Sequence, residues 1–166
     1  PNPLLEHIER WSNMIEKRLL RWVKAKKIEV ILSENASALP CQLSMGVAIK
    51  KLIKRTGLPI VTHDHDFHWE RGERYMSVHP EVNQYVDENF PLLLPDVRHA
   101  VINTFGVETF KNRFGIEALL VPNVMDFNRP YGIPTPENEF FLRDVGVREG
   151  EIALLHVLRV GVGVLH

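Results

Sequence analysis

The sequence has a single cysteine, almost no net charge and no long apolar run. Cys41 is the one thiol in 166 residues, which excludes an internal disulfide framework and favours a reducing, cytoplasmic compartment. Lys plus Arg number 20 and Asp plus Glu number 21, so charge favours no nucleic-acid partner. No apolar run approaches the roughly 20 residues that span a bilayer, so we expect membrane contact to be peripheral at most. The first residues lack the basic and apolar segments of a signal peptide.

Helix and strand patterns alternate along the chain. Apolar residues spaced three and four apart, followed by stop signals, predict helices over 4–22, 41–56, 81–89, 107–114 and 135–145. Short apolar runs predict strands over 28–33, 58–62, 97–103, 118–121 and 151–158. Crossovers of a dozen or more residues join parallel strands, so the sequence predicts an α/β fold with a Rossmann-like parallel sheet and helices on both faces. No Gly-x-Gly-x-x-Gly follows a strand, which argues against hydride transfer with a dinucleotide.

Ionisable residues are densest directly after the 58–62 strand. Seven of the nine residues from His63 to Arg71 are ionisable, and such crowding is costly without a ligand or strong solvation. Loops at the carboxyl ends of parallel strands commonly form ligand sites. The stretch is therefore the leading candidate for a functional site.

Three interpretations of this stretch stay open on the residues alone. His63 and His65 share one side of an extended chain and predict a metal site, as in metallo-β-lactamase-type hydrolases, although Asp66 is two residues before the third histidine. Alternatively, acids, an arginine and an indole ring predict a sugar-binding and acid/base loop. In the third interpretation the aromatic rings belong to the core, His65 and His68 cap backbone groups, and Glu70 with Arg71 is a surface ion pair.

The chain resembles the N-terminal domain of the family 4 retaining glycosyltransferases, which have the GT-B fold. The resemblance lies in Glu34-Asn35-Ala36 with Leu39-Pro40, in the segment 58–71 with its His-Asp-Phe-x-Trp-Glu-Arg text, and in Pro122-Asn123-Val124-Met125-Asp126. It implies transfer of a hexose from a nucleotide-sugar to a sugar or lipid-linked acceptor hydroxyl with retention. It implies no cofactor beyond the donor and no metal.

The resemblance also implies roles for individual residues. The catalytic candidates are His63, Asp64, His65 and Asp66. The substrate-binding candidates are Asn35, His68, Trp69, Glu70, Arg71 and Asn123. Extended backbone would place His63 and His65 on one side and Asp64 and Asp66 on the other.

The family pattern further implies that the chain is an incomplete N-terminal domain. Residues 1–127 would form the acceptor-side domain, 128–150 a linker and crossover helix, and 151–166 the start of a truncated second domain. No glycine-rich loop follows a strand before Ile28, and Arg159-Val160-Gly161-Val162-Gly163 stands where the family has Arg-x-x-x-Lys-Gly. We therefore expect negligible turnover from the chain alone. The alternatives are a metal-dependent hydrolase using the His63–His68 cluster and a non-catalytic interaction module that forms a homodimer through exposed surface.

Overall fold

The computed structural model describes residues 2–124, 126, 128, 135–148 and 150–152. The chain divides into two compact units, Pro1–Val124 and Met125–His166. The first unit contains four strands, which are β1 (Ile31–Glu34), β2 (Ile60–Asp64), β3 (Val97–Val101) and β4 (Leu119–Leu120). Its helices are α1 (Pro3–Lys26), α2 (Leu43–Thr56), α3 (Pro80–Asn89) and α4 (Thr104–Phe114), with 3₁₀ segments at Pro40–Gln42 and His68–Tyr75. Within the second unit, one helical turn, α5 (Phe141–Asp144), is described.

The four strands form one parallel sheet in the order β1-β2-β3-β4. This arrangement confirms the α/β class with a Rossmann-like parallel sheet. The predicted helix over 135–145 is reduced to α5, and the predicted strand over 151–158 lies almost entirely outside the described residues. The proposed boundaries at 127 and 150 stay predictions.

Among the described residues, the helices that contact the sheet cover one of its faces. Ile31, Ile60 and Val97 lie side by side in register and pack against Ile49 and Ile53 of α2. Farther along the same face, α4 packs on β3 in a second apolar cluster. Burying each such side chain contributes roughly 1.5–3 kcal/mol relative to leaving it exposed.

The opposite face of the sheet carries exposed apolar side chains. Leu32 is 66% exposed and Leu119 is 64% exposed, and Arg98 lies between them in the sheet order. The strands follow one another in sheet order, so right-handed crossovers place successive helices on the same face. Helices were predicted on both faces of the sheet. Within the part of the chain that the structure describes, they lie on one face.

Helix α1 is defined at both ends and fastened to its neighbours. The Asn2 side chain accepts a hydrogen bond from the Leu4 amide, and Lys27 ends the helix in the left-handed region at φ 52°. Burial acts to raise the pKa of Glu9, but hydrogen bonds from Lys51 of α2 and Tyr85 of α3 outweigh it and lower that pKa. Within the part of the chain that the structure describes, every helix is too short or too polar to span a bilayer.

Candidate functional site

The site is built where β1 and β2 end together. In the parallel register Glu34 is paired with His63, and His65 follows two residues later. The His63 Nδ1 is 3.0 Å from the Glu34 Oε1, and the His65 Nε2 is 2.6 Å from the same oxygen. The two imidazole rings meet edge to face, with their centroids 4.9 Å apart. One carboxylate thus joins both histidines on the face of the sheet that the described helices leave open.

The ionisation of this cluster follows from its acceptors. The Val121 carbonyl accepts a 2.8 Å hydrogen bond from the His63 Nε2, which raises the pKa of His63, and the Glu34 carboxylate adds to the rise against the effect of burial. Burial acts to raise the pKa of Glu34, but hydrogen bonds from His65 and His63 outweigh it and lower that pKa. Both shifts favour an ion pair between imidazolium and carboxylate.

Asp64 lies on the other face of β2, inside the core. Its Oδ2 accepts a 2.8 Å hydrogen bond from the Thr62 hydroxyl, whose oxygen is also 3.0 Å from the His99 Nδ1. A hydroxyl has one proton to donate, so the His99 Nδ1 must donate to it. All three side chains are buried, and the Asp64 Oδ1 and His99 Nε2 have no hydrogen-bond partner among the described residues. This network supports the strand that carries His63.

The predicted strand ends two residues too early. The sequence predicts a strand whose last residue is Thr62, whereas β2 continues through Asp64. His63 and Asp64 are therefore strand residues, and the alternation of the pleat sends the first towards solvent and the second into the core.

The segment after β2 is organised by local contacts. The Glu70 carboxylate accepts a 3.0 Å hydrogen bond from the Phe67 amide, and Arg71 pairs with Asp66 rather than with Glu70. Phe67 is buried and stacks on the Trp69 ring at 4.8 Å with an interplanar angle of 6°. The Arg113 guanidinium lies 4.1 Å from the centroid of the Trp69 ring. Much of the Trp69 ring is thus engaged by the protein itself.

A cavity of about 400 Å³ lies beside this segment. Its lining includes His68, Trp69, Tyr75, Asn83 and Asp87. Burial lowers the pKa of His68, Arg113 adds to the decrease, and Asp87 opposes it. This volume falls in the usual range of small-molecule sites, roughly 300–1,000 Å³.

The two asparagine candidates occupy the same end of the sheet. Asn35 adopts the left-handed region at φ 52°, and its side-chain oxygen accepts a 3.0 Å hydrogen bond from the His65 amide. Asn35 therefore acts on the backbone that presents His65. Asn123 is exposed and follows by two residues the carbonyl that holds His63.

Three residues of this region were missed at the sequence level. Glu34 follows the predicted 28–33 strand directly, so a parallel pairing of that strand with 58–62 brings it close to His63. Thr62 and His99 are polar positions on the core-facing side of their strands: His99 lies between Val97 and Val101, and Thr62 lies two residues after Ile60. That period-two pattern was the available signal for a buried polar pair.

The predicted His63–His68 metal cluster does not assemble as a whole among the described residues. His68 Nε2 lies 3.5 Å from the Asp87 Oδ1, whereas the potential ligand group of the site consists of Glu34, His63 and His65. The hydrolase interpretation thus loses its third histidine.

The chain is similar to two curated enzymes over most of its length. It is 34% identical over 136 residues to mannosylglucosylglycerate synthase of Thermotoga maritima, which is 81% of this chain and 30% of that protein. It is 32% identical over 132 residues to mannosylglucosylglycerate synthase of Petrotoga mobilis, covering 74% of this chain and 30% of that protein. No protein-family model and no solved structure matches the chain. The chain is thus homologous to a segment of two glycosyltransferases that amounts to 30% of their length.

Proposed function

We propose that the chain is the acceptor-side part of a retaining hexosyltransferase that uses a nucleotide-sugar donor. The carrying observation is the 34% identity over 136 residues to a mannosylglucosylglycerate synthase. The matching segment of each relative is 30% of its length, so the remaining parts of the site are expected from other segments of a longer chain. A GT-B arrangement of the family 4 type and action in the cytoplasm belong to the same proposal.

In this proposal His65 contacts the transferred sugar, and His63, whose two ring nitrogens are engaged by Glu34 and Val121, orients the Glu34 carboxylate beside it. Both histidines are partly exposed on the open face of the sheet, where a second domain would close a cleft. Imidazole and imidazolium groups donate hydrogen bonds to sugar hydroxyls and stabilise developing negative charge on a leaving phosphate. Asp64 acts from the core by holding β2, and Asp66 acts through its ion pair with Arg71.

The acceptor is assigned to the cavity beside the 3₁₀ segment. Its lining combines an indole, a phenol and polar side chains, which suit the apolar and hydroxyl-bearing sides of a sugar. His68 and Trp69 contact the acceptor directly in this proposal, while Glu70 and Arg71 shape the segment. The name of the two relatives suggests an acceptor that carries a glucosylglycerate unit. Asn35 holds the backbone of His65, and the exposed Asn123 belongs to the substrate-binding residues of the proposal.

Hexose transfer by the longest natural form of the protein tests the proposal. It is incubated with uridine and guanosine diphosphate hexoses and with glucosylglycerate, and the product is identified by mass spectrometry and its anomeric configuration by NMR. We expect a retained configuration. His65→Ala should lower kcat/KM by about 10²-fold or more, and the exposed His79→Ala should not.

Several results would contradict parts of this proposal. Absence of transfer with every donor would refute the transferase assignment, and an inverted product would refute retention. Efficient turnover by residues 1–166 alone would refute the proposal that this chain forms only the acceptor-side part of the enzyme. Tight binding of the donor to residues 1–166 in isothermal titration would refute it as well. The interaction-module alternative predicts concentration-dependent sedimentation through the exposed apolar face, whereas a monomer at all concentrations counts against the homodimer.

A further inference from the structure

Glu34, His63 and His65 place three potential metal ligands within a small volume. One ligand atom from each, a carboxylate oxygen and two ring nitrogens, lies within 4.8 Å of the others. Zinc binds nitrogen and carboxylate oxygen at about 2.0–2.2 Å, so neighbouring ligands need to be roughly 3–4 Å apart. The observed 2.6 and 3.0 Å separations are slightly shorter, and a modest opening of the cluster would admit an ion. Two imidazoles and one carboxylate form a donor set that suits first-row divalent transition metals.

The tautomer of His63 is set by a partner behind it. The Val121 carbonyl can only accept, so the His63 Nε2 carries a proton and donates to it over 2.8 Å. In the neutral ring the lone pair is then on Nδ1, the nitrogen that faces Glu34. A histidine that binds a metal commonly donates its other ring N–H to a backbone carbonyl or carboxylate in this way. The second contact of His63 therefore points to coordination through Nδ1.

The backbone holds the three positions without help from an ion. Glu34 and His63 are paired residues of adjacent strands. The Asn35 amide donates to the His63 carbonyl over 2.9 Å, and the Asn35 side-chain oxygen accepts from the His65 amide over 3.0 Å. Ligands on strand ends that are tied together by such bonds require little ordering when an ion binds.

The cluster is open on its solvent side. The side chains of Glu34, His63 and His65 are 54%, 15% and 29% exposed. Three protein ligands with a remaining accessible position are typical of zinc sites that bind an exchangeable oxygen ligand, whereas structural sites have four protein ligands. We propose that Glu34 Oε1, His63 Nδ1 and His65 Nε2 bind one divalent transition-metal ion, of the Zn²⁺ or Co²⁺ type, with at least one coordination position open to an oxygen ligand. This site goes beyond the proposed sugar transfer and does not depend on it.

Isothermal titration of ZnCl₂ and CoCl₂ into untagged, chelator-treated protein tests the site. The background carries Cys41→Ser, because Cys41 is exposed and a thiolate would compete for the ion. We expect one ion per chain and a Co²⁺ visible spectrum with nitrogen and oxygen ligation. His65→Ala and Glu34→Gln should each weaken binding on the order of 100-fold, whereas His68→Ala from the same segment should leave it unchanged.

Several outcomes would overturn the assignment. Absence of stoichiometric binding would mean that the three side chains form a hydrogen-bonded network only. Equal losses in His65→Ala and His68→Ala, or Mg²⁺ binding as tight as Zn²⁺ binding, would remove the role of the two imidazoles. Circular dichroism establishes whether each variant is folded. If His65→Ala does not fold, Glu34→Gln still tests the site, because it preserves the shape of a side chain at an exposed position.

Discussion

Replacing Thr62 by valine should destabilise the protein through the buried network beneath the site. The substitution removes a hydroxyl that donates to the Asp64 Oδ2 over 2.8 Å and accepts from the His99 Nδ1 over 3.0 Å. A buried hydrogen bond contributes about 1 kcal/mol, and a buried polar atom left without its partner costs about 1–3 kcal/mol. Valine fills nearly the same volume, so little cavity cost is added. We expect the free energy of unfolding to fall by roughly 2–4 kcal/mol.

Urea unfolding followed by circular dichroism measures this loss, with the free energy extrapolated linearly to water. Thr56→Val is the matched control, because the Thr56 hydroxyl also donates once, to Leu52, and accepts once, from Leu58, but at an exposed helix end. The control should lose less than about 1 kcal/mol, since water replaces the lost partner. A Thr62→Val loss below about 0.5 kcal/mol, or one equal to the control, would refute the idea that the network is closed to water.

Three further predictions concern the core and the helix contacts. Gly46→Ala should lower the free energy of unfolding by about 1–3 kcal/mol, because the added methyl group overlaps the buried Phe90 ring. Helix propensity alone predicts a gain in stability, so a raised Tm by calorimetry would contradict this packing. Phe110→Ala should cost about 3–5 kcal/mol in urea unfolding, against less than about 0.5 for the exposed Phe105→Ala, and similar losses would be inconsistent with a core at Phe110. Glu9→Gln should cost about 0.5 kcal/mol at neutral pH, after allowance for the partial exposure of Glu9. A lowered carboxyl pKa stabilises the fold above the usual pKa of 4.5, and this stability is lost as the pH falls through the lowered pKa, so the cost should vanish in acid. A difference in stability that persists at acid pH would argue against the ion pair.

The helices and strands were largely predictable because their signals are local. Asn2 and Pro3 mark the start of α1. Gly57 ends α2 with φ 63°, and Gly115 ends α4 with φ 67°. Periodic apolar residues decided the rest. The parallel sheet could be predicted from the alternation of helices and strands. The face that the described helices leave open could not be predicted, because it depends on the order of strands in the sheet, and sequence spacing does not determine that order.

The site was predictable in its position and less so in its membership. The crowding of charges at His63 marked the right end of the sheet. The partner of both histidines, Glu34, comes from another strand, and only the register of β1 with β2 brings it there. His99 likewise enters through β3, at a separation of 37 residues from Thr62. Contacts of this kind between strands leave almost no trace in a single sequence.

The sheet order β1-β2-β3-β4 has a consequence for how the chain forms during synthesis. Each new strand pairs with the strand made just before it, so the sheet can extend at one edge as residues leave the ribosome. After β1, every strand of this sheet has a neighbour that has already been synthesised. The entropy of loop closure is therefore lost in short steps, and the pairing of Glu34 with His63 requires only the segment between β1 and β2 to close.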